Sequence, residues 1–170
     1  MKKLILGILI ISSFASCEQS KIAFVDNAKL LNDYQEKKDI EAKFKTKAEK
    51  FQKRADSLSR AFQTEALEFE SKSKTLSQKK AQEQYNVLMQ KRQLMGQQLQ
   101  SEEIQIQQQG QKEIDSLVKK VRNFVKEYGK KNQYTFILGN TESGSVLYGE
   151  ETKDVTEAVL KELNDTYNKK

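Results

Sequence analysis

The sequence predicts an α+β chain that is predominantly helical, in which a long antiparallel helical hairpin, a coiled-coil-like arm, projects from a small β-rich oligomerisation head. Three observations carry this prediction. Residues 33–128 contain no proline and only two glycines, Gly96 and Gly110. Apolar residues in this stretch recur at alternating three- and four-residue spacings, which is the pattern of long helices that pack together along their length. Short segments rich in β-forming residues precede and follow the stretch.

The apolar pattern of the arm divides into two halves of similar length, and we call these apolar residues the seam. Each half would form a helix that spans roughly 60 to 65 Å at about 1.5 Å per residue. A narrow apolar face cannot build a globular core, so a thin hairpin is expected. The seam comprises Phe44, Ala48, Phe51, Ala55, Leu58, Phe62, Ala66, Phe69 and Leu76 on the first half, and Tyr85, Leu88, Met95, Leu99, Ile106, Ile114, Leu117, Val121, Phe124 and Tyr128 on the second.

Residues 1–17 have the character of a lipoprotein-type signal peptide. Two lysines precede an apolar run over residues 4–11, which is too short to span a bilayer as a helix. The stretch 14–17 resembles a bacterial lipobox, in which Cys17 becomes the lipidated first residue of the mature protein. Ordinary signal cleavage after Ala15, which would release a soluble form, is the alternative, because small residues occupy the positions that such cleavage requires.

The first part of the head is expected over residues 21–32. Residues 21–26 are rich in β-forming side chains and alternate loosely, so they predict a strand that ends at Asp26. A side-chain oxygen of Asp26 or Asn27 can accept hydrogen bonds from the free amides of a first helical turn. A short helix is therefore expected through Leu31, before the arm begins.

The arm is expected over residues 33–131, and a hairpin must reverse once within it. The weakest helical stretch is residues 71–78, because its serine and threonine side chains compete for backbone hydrogen bonds. The tip of the hairpin is therefore predicted near residues 71–78, and one continuous helix is the alternative. The second helix is predicted to end near Gly129, a residue suited to the left-handed C′ position.

The second part of the head is expected over residues 133–168, where the apolar period changes from helical to strand-like. Residues 134–138 predict one strand, residues 141–144 a turn, and residues 145–148 a second strand. Asp154 opens a segment with capping-box spacing, which predicts the start of a last helix. The apolar face of that helix comprises Val155, Val159, Leu160 and Leu163.

The composition argues against an enzyme. Histidine is absent and the only cysteine is Cys17, so the usual zinc sites, cysteine nucleophiles and serine–histidine triads cannot be assembled. Carboxylate pairs on solvated helices are ordinarily charge pairs rather than an acid and a base. We therefore predict no catalytic residues, no metal site and no cofactor.

Positive charge is concentrated around the predicted tip of the arm. Residues 71–92 contain six basic residues against one acidic residue, a local charge of +5. The six, which we call the basic tip, are Lys72, Lys74, Lys79, Lys80, Lys91 and Arg92. Such a surface can attract anionic lipid, lipopolysaccharide, nucleic acid or acidic polypeptide by nonspecific electrostatics, or it can simply keep the tip soluble. Export through a signal peptide argues against nucleic acid.

Four apolar residues of the second helix lie outside the seam: Val87, Met89, Leu94 and Ile104. They add nothing to packing within the hairpin, so they are either scattered surface residues or a weak, adaptable binding surface. Thirteen glutamines fall within residues 78–111. Because glutamine is an uncharged helix former, they predict a solvated helix face.

Four segments, taken in order, resemble the Skp/OmpH family of periplasmic chaperones. They are residues 21–26 (KIAFVD), 75–77 (TLS) near the reversal, 146–148 (VLY) and 154–157 (DVTE). The long helical arm lies between the first segment and the last two, and the second segment lies near its tip. The resemblance covers essentially the whole chain after the leader. It implies a homotrimer joined through β-rich heads, with three helical hairpins that enclose a cavity for unfolded outer-membrane proteins. It also implies that no ATP is used and that there are no catalytic residues.

The function expected from this resemblance is that of an ATP-independent holdase of the periplasm, anchored to a membrane if Cys17 is lipidated. The four off-seam apolar residues are the candidate client-binding residues. Expected partners are unfolded outer-membrane proteins, further copies of the chain, the membrane through the lipid anchor, and anionic lipid or lipopolysaccharide at the basic tip, with no nucleic acid. The alternative is a structural coiled-coil lipoprotein that tethers or spaces envelope layers.

Overall fold

The structure is a computed structural model that describes residues 20–141 and 144–169. The predicted signal peptide and its Cys17 lie outside the described residues. The described residues divide into two compact units: unit 1 comprises those up to Leu31 and those from Val121 onward, and unit 2 comprises Asn32–Lys120. The predicted fold class, mainly helical with a long helical hairpin and a small strand pair, is confirmed.

The described residues form strands and helices in the following chain order. They are strand β1 (Ile22–Asp26), helices α1 (Asn27–Asp33), α2 (Gln35–Ser73) and α3 (Gln78–Lys131), strand β2 (Phe136–Asn140), a 3₁₀ turn (Glu151–Lys153) and helix α4 (Thr156–Asn168). Tyr34 has extended backbone angles and separates α1 from α2. Helix α3 begins in unit 2 and ends in unit 1.

Strands β1 and β2 of unit 1 pair in parallel, with Ile22 opposite Phe136 at the start of the register. Ala23 and Val25 are buried whereas Ile22 is exposed. Successive side chains of a strand point to opposite faces, so Ala23 and Val25 face the core of unit 1. The strand predicted over residues 21–26 therefore has one buried and one exposed face.

The end of α3 differs from the prediction that Gly129 occupies the left-handed C′ position. Helix α3 continues to Lys131, and the left-handed residue is Gln133, with φ 58°. The Tyr134 N–H donates to the Gly129 carbonyl at 2.9 Å, which is the long hydrogen bond of a Schellman motif. Gly129 instead allows a close approach of Ile137, since a Cβ at position 129 would lie 3.3 Å from that side chain. Because the helix is longer than predicted, β2 begins two residues later than the predicted strand.

The second strand predicted in this region, over residues 145–148, is wrong, because these residues form no strand. Asp154 occupies the edge of β1 instead, through a parallel bridge to Phe24. Leu147 is 93% exposed and therefore contributes to no core. Gly149 lies so close to the Phe24 ring that a Cβ would not fit there. The segment thus crosses over the Phe24 side chain rather than pairing beside a strand.

Helix α4 closes the core of unit 1 by packing against β1. Buried core residues of this unit include Ala23, Val25, Leu30, Val155, Val159, Leu160 and Leu163, so the apolar face predicted for the last helix is confirmed. At the start of α4, the Asp154 carboxylate accepts a hydrogen bond from the Thr156 N–H at 2.8 Å. Glu157 pairs with Lys29, and it does not complete the capping box that its spacing predicts.

Unit 2 is a hairpin in which α2 and α3 run antiparallel, with residues 74–77 as their connection. The N–H and the hydroxyl of Thr75 both donate to the Lys72 carbonyl, at 3.0 and 2.8 Å. The Ser77 hydroxyl accepts a hydrogen bond from the Lys80 N–H at 3.5 Å, as a residue that caps the start of α3 does. Because α3 returns along α2, the alternative of one continuous helix is wrong.

Candidate functional site

The packing between α2 and α3 in unit 2 is thin. Helix α2 has no buried residue, and of the seam residues in this unit only Leu88 and Leu117 are buried. The helices approach closely at Gly110, where a Cβ would lie 3.4 Å from the ring of Phe44. The hairpin therefore buries little apolar surface and leaves much of its length available to solvent or to a partner.

Polar pairs join the two helices along one edge of the hairpin, and we call this set the ladder. The pairs are Glu36 with Lys120, Lys43 with Glu113 (2.6 Å), Lys47 with Gln109 (3.2 Å), Arg54 with Glu102, and Glu65 with Lys91. Each step along α2 is matched by an equal step back along α3, as an antiparallel register requires. The α2 members recur at spacings of 7, 4, 7 and 11 residues, which places them on one helix face.

Three side chains meet where α2 begins. Tyr34 is fully buried, and its hydroxyl and the Lys120 ammonium group both donate to the Glu36 carboxylate. The Lys120 nitrogen also lies 5.9 Å from the centre of the Tyr34 ring. The cluster fixes the first turn of α2 against α3. Tyr34 lies outside the periodic apolar pattern, and its only signal in the sequence is an aromatic residue beside the predicted start of the arm.

The four off-seam apolar residues of α3 do not form one surface. Val87 and Leu94 are 64% and 58% exposed, Ile104 is 44% exposed, and Met89 is half-buried. A helix turns by about 100° per residue, so Val87 and Leu94 share one face. Met89 and Ile104 lie about 60° apart on another flank, about 120° round the helix from the first face on average. The structure thus separates the predicted site into two candidate surfaces.

The residues of the basic tip are all exposed but fall into two groups. Four of them lie beside the connection between the helices: Lys72, Lys74, Lys79 and Lys80. Lys91 and Arg92 lie further along α3, about 17 Å from Lys80 at about 1.5 Å per residue. Lys91 pairs with Glu65 in the ladder. The first turn of α3 contains no acidic residue, so the positive end of its helix dipole adds to the charge of the first group.

One face of the sheet in unit 1 is apolar and exposed. Ile22 pairs with Phe136 and Phe24 pairs with Leu138, and such paired residues point to the same side of a sheet. Ile22, Phe136 and Leu138 are 45%, 58% and 46% exposed. Within the described residues β2 has β1 as its single strand partner, so its outer edge has unpaired backbone groups.

The shifted pKa values in unit 1 belong to exposed ion pairs and a buried tyrosine. A hydrogen bond from Lys130 lowers the pKa of Glu127, and one from Lys161 lowers the pKa of Asp165. Burial raises the pKa of the Tyr128 hydroxyl. Among residues 20–141 and 144–169, no cluster of acidic side chains could hold a metal ion. No helix in the same residues has the length and apolar character needed to cross a membrane.

Comparison with known proteins agrees with the resemblance found in the sequence. A family model described as "Outer membrane protein (OmpH-like)" matches residues 21–163. Among solved structures, a candidate outer membrane chaperone (OmpH-like) from Caulobacter crescentus has a similar fold, with a TM-score of 0.76 and 16% identity. That match covers 86% of this chain and 85% of the other. No curated protein matches the sequence. The chain belongs to the OmpH-like outer membrane protein family.

Proposed function

We propose that the protein is an ATP-independent holdase chaperone of the periplasm that keeps unfolded outer-membrane proteins from aggregating. Membership of the OmpH-like family supports a periplasmic chaperone of outer-membrane proteins. The observation that carries the holdase function is the thin hairpin, in which α2 buries no residue and apolar side chains stay exposed along α3. Such a surface can contact an unfolded chain weakly at many points. The proposed function needs no catalytic residue, metal or cofactor.

The direct test is suppression of aggregation. A denatured outer-membrane β-barrel protein is diluted into buffer with the chain that begins at Glu18, and light scattering is followed without ATP. The holdase function predicts that scattering falls as the concentration of the chain rises. The rival function, a structural lipoprotein that spaces envelope layers, predicts unchanged scattering.

The assembly that this function implies is a homotrimer joined through unit 1, with the client held in a cavity between helical arms. The exposed apolar face of the sheet and the open edge of β2 support association with further copies. Phe136→Asp should dissociate the assembly, because it buries an unpaired charge in that interface. Leu147→Asp is the matched control, since Leu147 lies outside the sheet. Light scattering that gives the mass of one unsubstituted chain would rule out the assembly.

The anchor that we propose is lipid attached at Cys17. Lys21 is held in place in unit 1, where its ammonium group donates to the Asn132 carbonyl at 2.9 Å and lies 4.1 Å from the Tyr134 ring centre. Residues 18–20 alone would then separate the lipid from unit 1, a span of about 14 Å at most. Cys17→Ser should move the protein to the soluble fraction. A mature chain that begins at Ser16 in mass spectrometry would contradict lipidation.

The partner that we propose for the basic tip is anionic lipid or lipopolysaccharide, and not nucleic acid. The lysines beside the connection between the helices support this, because they are exposed and meet the positive end of the α3 dipole. The chain that begins at Glu18 should float with vesicles of anionic lipid at low salt and be released at high salt. Replacement of Lys74, Lys79 and Lys80 by Gln should abolish flotation, and equal flotation with neutral vesicles would contradict the proposal.

A further inference from the structure

We propose that a straight, uncharged stripe along α3 is the surface that holds the client, and that its ligand is an extended segment of unfolded polypeptide. This inference rests on the proposed holdase function and deepens it. The stripe comprises Gln82, Asn86, Met89, Gln93, Gln97, Gln100, Ile104, Gln107 and Gln111. Seven of these nine side chains are carboxamides, and the other two, Met89 and Ile104, are off-seam apolar residues.

The stripe runs parallel to the helix axis. From Gln82 to Gln111 its eight steps of three or four residues cover 29 residues, a mean step of about 3.6 residues. An α-helix has about 3.6 residues per turn, so the nine side chains lie above one another in a straight line. At about 1.5 Å per residue the line is about 44 Å long.

The fold of unit 2 leaves the stripe accessible. All nine residues are exposed except Met89, which is half-buried. Gln93 and Ile104 each follow a ladder member, Lys91 and Glu102, by two residues. Two residues correspond to about 200° of rotation, so the stripe lies on the side of α3 away from the contacts of the ladder with α2.

The chemistry of the stripe matches an extended chain. A carboxamide offers two hydrogen-bond donors and one acceptor. The backbone N–H and C=O groups of an unfolded chain are not paired in secondary structure, so they can bond to such side chains. An extended segment as long as the stripe has about 13 residues at about 3.3 Å per residue. A membrane-spanning β-strand has about 9–11 residues, so one such strand fits along the stripe.

The stripe also carries no charge. Charged residues make up 32% of the chain, yet none lies on this line. The lipid-facing side of a barrel strand is apolar, and a charged side chain pressed against it would lose hydration without gaining a partner. A neutral stripe avoids that cost, and its two apolar residues add weak contacts to the same side of the client.

Matched charge insertions test the proposal in the aggregation assay. The stripe variant is Gln93→Glu, Gln100→Glu and Gln107→Glu; the control variant is Gln84→Glu, Gln98→Glu and Gln105→Glu. Both sets change the charge equally on the same helix, and Gln and Glu have similar helix propensities. We expect the concentration needed for half-suppression to rise about tenfold for the stripe variant and less than about twofold for the control. Lysine at the three stripe positions should act like glutamate, because the stripe requires neutrality.

Every other outcome overturns the stripe. Equal losses in both variants would indicate a general charge effect, and a larger loss in the control would place the client on the face of Val87 and Leu94. No loss in either would show that the client binds elsewhere. If the unsubstituted chain itself does not suppress aggregation, the proposed holdase function is wrong. If the unsubstituted chain suppresses aggregation but the stripe variant shows no selective loss, only the stripe is wrong.

A contact measurement complements the activity. A photo-crosslinking residue, p-benzoylphenylalanine, is placed at Gln97 in one variant and at Gln98 in another, two neighbours about 100° apart on the helix. The stripe predicts that crosslinks to the unfolded β-barrel protein form mainly from position 97. Equal crosslinking from both positions would contradict it, and crosslinks from position 97 to a second copy of the chain in the absence of client would show that the stripe serves assembly instead.

Discussion

The ladder predicts that a charge reversal in the middle of the hairpin is tolerated only when both partners are reversed. Arg54 pairs with Glu102, and the two side chains are 45% and 34% exposed. Arg54→Glu removes the pair and places two carboxylates together. Because Arg and Glu have similar helix propensities, the change in stability would report the cross-helix interaction.

The magnitude follows from the exposure of the pair. A solvent-exposed ion pair is worth about 0.2–1 kcal/mol, and opposed like charges cost a similar amount. We therefore expect Arg54→Glu alone, or Glu102→Arg alone, to lower the free energy of unfolding by about 0.4–2 kcal/mol at low salt. The double variant restores an attractive pair, so it should lie within about 0.5 kcal/mol of the unsubstituted chain.

Urea denaturation followed by circular dichroism measures this cycle, and hydrogen exchange localises the loss to α2 and α3. At about 1 M salt the screening length falls to about 3 Å, so the cost of each single reversal should shrink by more than half. Lys53→Glu, at the neighbouring position outside the ladder, is the control and should cost less than about 0.5 kcal/mol. Single-variant losses that simply add in the double variant would refute the ladder.

Two further predictions concern the end of α3 and the off-seam apolar residues. Gln133→Gly should raise the free energy of unfolding by about 0.5–1 kcal/mol, because glycine adopts the left-handed conformation without the cost that glutamine bears, and a loss in denaturant melts would contradict the Schellman assignment. Replacing Met89 and Ile104 by serine should weaken suppression of aggregation more than replacing Val87 and Leu94 by serine, with helicity and melting temperature nearly unchanged in both. The reverse order of activities would favour the second face over the stripe.

The helical hairpin was predictable because its signal is periodic and long. Apolar residues at helical spacing over both halves of residues 33–128 fix two helices, whatever the details of their ends. The serine-rich stretch 71–78 marked a weak point, and the helices are interrupted at residues 74–77. The ends of the elements and the pairing of the strands depend on tertiary packing, which the periodicity of the sequence does not encode.

The errors in unit 1 arise from tertiary contacts. Val146 and Tyr148 favour a strand locally, but Asp154 takes the free edge of β1, so that edge is not available to residues 145–148. Gly129 suits a left-handed cap, but it lies inside the helix, where the approach of Ile137 leaves little room for a Cβ. In both cases a tertiary contact overrides a local preference.

The candidate site was predictable in its residue types but not in its arrangement. Residues off the seam can lie on either flank of it, so the apolar pattern does not separate Val87 from Met89, which the helix places on opposite sides. The stripe was present in the sequence as glutamines at helical spacing. The ladder could not be predicted from the sequence, because the pairing of Arg54 with Glu102 depends on the register between the two helices.

The proposed holdase function requires that the protein keep an outer-membrane protein unfolded and soluble without ATP. The chain has no tryptophan, so tryptophan fluorescence in a mixture reports the client alone. A urea-denatured β-barrel protein is diluted into the chain that begins at Glu18, and detergent micelles are added afterwards. The account predicts that emission stays at the unfolded wavelength without light scattering and shifts to the folded wavelength once micelles are present. Immediate aggregation of the client at the same rate with and without a large molar excess of the chain would contradict it.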